Sequence, residues 1–201
     1  LFSEQIRTRI IQYLANALFA ASILNIITMY CIFGSNLVST LLLSSFMIMA
    51  GVVLGLIQRL NKSSDYKDKV YAATFFVLIP VLTLSFIEYA SVTVWALAFL
   101  FLIISIAMVS RVIQVAVAAS ILLTQLTISL IKPSIVVQID AADYVGRIGI
   151  SLITIWVAFF VMNVFRSKLL ENAHQISFQN LVEEISARYA SANEKDFDDV
   201  T

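Results

Sequence analysis

Long unbroken apolar runs, separated by short polar breaks, dominate this chain. An α-helix rises about 1.5 Å per residue, so a hydrocarbon core of about 30 Å takes about 20 apolar residues to cross. Six runs meet that length, roughly residues 10–33, 37–57, 70–89, 92–109, 112–131 and 148–165. They are continuous rather than alternating, so helices are favoured over a β-barrel, the other structure that can span a bilayer. The pattern predicts an all-α membrane protein, a six-transmembrane-helix bundle with a C-terminal helix or short coiled coil. Residues 1–9 form an N-terminal segment, 10–165 the six-helix transmembrane domain and 166–201 a coiled-coil linker.

The boundary between the fourth and fifth runs is Ser110-Arg111. An arginine at mid-membrane costs about 2.5–3.5 kcal/mol on insertion scales. A tight turn here removes that cost, so the stretch 92–131 is read as two spans.

Cations then set the orientation. Six spans place both termini on one side, together with Arg7, Arg9, Arg59, Lys62, Lys67, Lys69, Arg111, Arg166 and Lys168. The opposite side carries only Lys132 and Arg147. Cationic loops stay in the cytoplasm, so both termini are expected there. Three outer connections follow: Gly34-Ser35-Asn36, a short one near Glu88, and the longer segment from Lys132 to Arg147. None is large enough for a folded external ligand-binding domain.

Composition sharpens the class. The chain is 60% hydrophobic and 13% charged, against about 45–50% and about 25% for a soluble domain. A soluble enzyme domain, a disordered tail and a disulfide scaffold are excluded. A formal net charge of zero gives no electrostatic footprint for nucleic acid. The single cysteine, Cys31, allows no internal disulfide. The chain begins at Leu1 without an initiator Met and reaches Thr201 inside an acidic helical stretch. Both ends read as cut from a longer protein.

The interior lacks the groups that much membrane chemistry needs. The only histidine, His174, lies beyond the last span, and all six lysines lie outside the spans. No haem, no metal and no retinal Schiff base is expected, so the chain is read as having no cofactor and no catalytic residues. His174 is followed by Gln175-Ile176-Ser177 with no proline after it. It therefore reads as a solvated helical histidine rather than a phosphoacceptor. Pro80 has no counterpart in another span and no internal repeat is visible, unlike transporters built from inverted repeats and broken helices.

Two sets of residues are candidates for binding. Glu88, Tyr89, Trp95, Asp140, Asp143, Tyr144 and Arg147 form an expected outer rim, with Arg147 a possible partner for Glu88. Asn16, Asn25, Gln114 and Gln125 lie within spans. They either bond between helices, at about 0.6 kcal/mol each, or line a cavity for a small apolar, membrane-soluble ligand. Gly51 and Gly55 form a G-x-x-x-G pattern that permits close helix approach.

After Phe165 the composition turns polar without Gly or Pro, so the sixth span is expected to run on as a helix. Phe178, Leu181, Val182, Ile185 and Tyr189 follow helical spacing, and an earlier stripe uses Leu169, Ala173 and Ile176. The two differ in phase, as at a coiled-coil stutter. The expected partner is the same helix of a second chain, in a parallel homodimer.

The segment from Ile176 onward, with Leu181-Val182-Glu183-Glu184-Ile185-Ser186 before Asp196-Phe197-Asp198, resembles the linker and first helix that introduce a GAF domain. Such linkers occur in bacterial membrane signalling proteins with diguanylate cyclase (GGDEF) or cyclic-di-GMP phosphodiesterase (EAL) output. The six-helix part looks generically like their sensor modules and like those of six-span adenylyl cyclases. The resemblance covers about the last 26 residues and implies a cytoplasmic effector in cis beyond Thr201. The expected function is a transmembrane sensory and dimerisation module. The alternatives are a small-molecule transporter or channel, or a passive membrane anchor for a cytoplasmic enzyme.

Overall fold

The computed structural model describes residues 2–32, 34–87, 94–131 and 141–198, with side chains for 7–32, 34–87, 94–131 and 144–186. Every regular element among them is helical: α1 (Phe2–Ile26) running into a π-helical turn (Ile27–Ile32), α2 (Leu37–Arg59), α3 (Ser64–Phe86), α4 (Ala96–Ala107), α5 (Arg111–Ile131) and α6 (Ala141–Asp198).

Local chemistry sets several boundaries. Gly34 has φ +61°, a conformation glycine reaches without a Cβ clash. It leads to Asn36, whose side chain accepts from the Val38 N–H at 2.9 Å and caps α2. Arg59 occupies the last turn of α2, where a cation complements the helix dipole. Ser63 caps α3, with Asp65 in its first turn. The expected corner before Arg111 is present. Val109 has φ +53°, and α5 starts at Arg111.

Five of these helices are long and apolar enough to cross a membrane: Arg7–Ile32, Leu37–Arg59, Ser64–Phe86, Arg111–Ile131 and Tyr144–Ser186. The fourth expected span is described as a helix of 12 residues, about 18 Å long and so shorter than a hydrocarbon core. The outer surface suits lipid. Trp156 is 72% exposed, and Ile153 and Phe160 are also exposed. In water, so large an apolar surface would drive association.

The chain divides into two compact units, residues 1–160 and 161–201. In the first unit α1 packs on α2 and α3 on α5 as the most extensive pairs. Phe75, Leu54, Leu78, Ile113 and Val117 are fully buried at the centre. Phe75 and Phe101 meet with ring centroids 5.9 Å apart, tying α4 to α3. The second unit is helical through Asp198. Ile176, Phe178, Leu181, Val182 and Ile185 are exposed on it, Leu169 is half-buried, and Ala173 and His174 are exposed. The side chain of Tyr189 lies outside the described residues.

Candidate functional site

Several polar sites and one groove stand out among the described residues of the first unit. The first joins α5 to α6. Tyr144, buried in the first turns of α6, donates its hydroxyl to the Gln125 carbonyl at 2.7 Å and lies 2.8 Å from the Ser129 hydroxyl. It packs with Ile87 and Ile128. Nearby in sequence, Arg147 stands 5.8 Å over the Trp95 ring, a cation–π distance. Trp95 in turn meets Phe99 edge-on at 5.1 Å. Of the expected rim, Trp95 and Arg147 are therefore brought together. Tyr144 is held on the α5 backbone by its hydroxyl. Glu88, Tyr89 and Asp140, and the side chain of Asp143, lie outside the described residues.

The second site is buried between α1 and α2. The Asn25 amide donates to the Ser44 hydroxyl at 2.9 Å and to the Thr40 carbonyl at 3.4 Å. Ser44 donates onward to the Ser22 carbonyl. Ser35 bonds the Met29 carbonyl at 2.6 Å and lies 2.9 Å from the Thr40 hydroxyl. These bonds surround the end of α1 where the chain passes into the π-helical turn. A wider turn of this kind exposes carbonyls that need side-chain partners. The Asn25 carbonyl oxygen is buried without a partner among the described residues.

The third site is Gln114, in the first turn of α5. Its side chain is 0% exposed, and neither its amide nitrogen nor its oxygen has a partner among the described residues. Gln125 is half-buried about half the length of α5 further on and contributes through its carbonyl. Asn25 thus sits between α1 and α2, and Gln114 and Gln125 on α5.

Asn16 faces a different feature. It lines an open groove of about 540 Å³ between α1 and α2, with Thr8, Gln12, Phe19, Gly51, Gly55, Leu56 and Arg59. A Cβ on Gly51 would stand 3.2 Å from the Ala15 carbonyl, whereas one on Gly55 would meet nothing within 4 Å. One glycine of the pair lets the helices touch. The other leaves the hollow.

At the same end, Arg7 forms an ion pair with Asp68 and donates to the Ser64 hydroxyl at 3.0 Å. Gln58 donates to the Thr8 carbonyl at 2.7 Å, and Lys67 to the Gln58 carbonyl at 3.3 Å. Sequence pattern marked Arg7 and Lys67 only as cations of one membrane side and did not single out the others. Their pairing across elements has no local signal, since Arg7 and Asp68 are 61 residues apart.

Among the described residues no group of three or more His, Cys, Asp or Glu side chains comes together to hold a metal ion. Compared with known proteins, the chain matches no family model, no curated protein and no solved structure.

Proposed function

We propose that this chain is the sensory and dimerisation module of a bacterial membrane signalling protein. In this reading six spans cross the cytoplasmic membrane with both termini inside. A small apolar or membrane-soluble ligand biases the bundle. The last helix carries the change to a nucleotide-second-messenger output domain introduced by the GAF-like tail.

One observation carries the reading. The helix whose first turns are bonded to α5 through Tyr144 continues to Asp198 and presents exposed Phe178, Val182 and Ile185. With Tyr189 these positions are spaced four, three and four residues apart, the alternation of a coiled-coil seam. An apolar seam on a helix in water lowers its free energy by pairing, and the same helix of a second chain offers a matching seam. A ligand that binds two arrangements of the bundle unequally would then shift the pairing.

The test joins residues 1–201 to a diguanylate cyclase domain and measures its product in vesicles with and without 1-decanol, an apolar probe. The expected result is a severalfold change in output, lost when residues 10–165 are replaced by an unrelated dimeric span. Constant output, with Val182→Cys still cross-linking between chains in a Cys31→Ser background, would overturn sensing and leave an anchor.

A further inference from the structure

We infer that the groove between α1 and α2 is a binding site for an anionic phospholipid. The inference needs the helices to lie in a bilayer but does not depend on signalling. The groove runs from a polar mouth to an apolar floor. Arg59 stands at the mouth, exposed, and pairs with no carboxylate among the described residues. The neighbouring cation, Arg7, is already neutralised by Asp68. Arg59 is the cation among the residues that line the groove, so it is placed to meet an anion there; Arg9, exposed on α1, does not line it.

Below the mouth the wall is amphipathic. Gln12 and Asn16 follow one another at helical spacing on α1, both exposed, and Asn16 lies about 12 Å along the axis from Thr8. Amides turned toward hydrocarbon lack water to bond, which is unfavourable unless something polar reaches them. Opposite them Gly55 leaves open space and Leu56 supplies apolar surface. A molecule with a phosphate, ester carbonyls a few ångströms below it and an acyl chain beyond presents those groups in the same order. The phosphate would meet Arg59, an ester carbonyl the Gln12 amide, and the chain the trough over Gly55. A free phosphate would match Arg59 alone. A zwitterionic phosphatidylcholine would bring a compensating cation.

Native mass spectrometry of the purified full chain, exchanged into mixed micelles, tests the assignment. The probes are phosphatidylglycerol, phosphatidylcholine and inorganic phosphate. Phosphatidylglycerol is expected to bind in preference to the other two. Arg59→Gln should weaken that binding by about fivefold, the effect of one cation near an anionic headgroup, while Arg59→Lys retains most of it. Gly55→Leu, which meets no neighbouring atom at its Cβ, should fill the trough and remove binding without changing helicity by circular dichroism. Equal binding of phosphatidylglycerol and phosphatidylcholine would overturn the proposal. So would Gly55→Leu dissociating a lipid-independent dimer, which would make the groove a helix–helix contact, or binding by inorganic phosphate at the same strength.

Discussion

The Tyr144 hydroxyl donates to the main-chain carbonyl of Gln125 at 2.7 Å, linking the start of α6 to the far end of α5. That carbonyl belongs to a helix and already accepts from the Ser129 hydroxyl at 2.9 Å. The phenol therefore adds a bond to a carbonyl that is not otherwise orphaned. Its ring does the larger share, filling the space beside Ile87 and Ile128.

Tyr144→Phe keeps the ring and deletes the bond. It should cost about 0.5–1.5 kcal/mol. Tyr144→Ala removes the ring as well and should cost about 3–5 kcal/mol. Denaturation in detergent followed by circular dichroism reads both, and equal losses would show that the hydroxyl, not the ring, holds α6.

The two glycines of α2 should respond differently. Gly51→Val forces a side chain against the Ala15 carbonyl and should destabilise by about 1–3 kcal/mol. Gly55→Ala enters open space and should stabilise by up to about 1 kcal/mol through helix propensity. Thermal melts of the two variants in the same detergent decide the point. Matching effects would mean the helices do not approach at Gly51.

Gln114 places an amide in the core without hydrogen-bond partners among the described residues. Gln114→Met preserves length and removes the desolvated polar group, and should stabilise by about 1–2 kcal/mol. A loss of stability instead would show that the amide has a partner, such as an internal water. The same melts serve as the measurement.

Val109 holds a β-branched side chain at φ +53°, a backbone conformation costing about 1–2 kcal/mol for an L-residue. Val109→Gly relieves that strain at some cost in unfolded-chain entropy. A net gain of about 0.5–1 kcal/mol is expected in a urea titration, and a net loss would place the value of Val109 in its packing.

The corner before Arg111 was legible because burying an arginine in hydrocarbon is costly enough to override the continuity of the apolar run. The turn at Gly34-Ser35-Asn36 was legible because a φ-permissive glycine and a capping asparagine are local signals. The short α4 was not. The run from Val92 to Val109 is apolar apart from Thr93 and Ser105, and neither marks a helix start at Ala96. The π-helical turn at Ile27–Ile32 was equally silent, since an apolar sequence looks the same whether its bonds skip four residues or five.

Hydrophobic pattern and charge alone establish that this chain is helical, largely apolar and built to place several helices in a bilayer, because backbone satisfaction and burial are properties of a segment by itself. Packing decides the rest. Asn25 finds Ser44, Arg7 finds Asp68, Gly51 touches α1 while Gly55 does not, and Tyr144 bonds the α5 backbone. Each depends on which helix lies beside which and at what rotation, and those relations join residues far apart in the chain that carry no mark of one another.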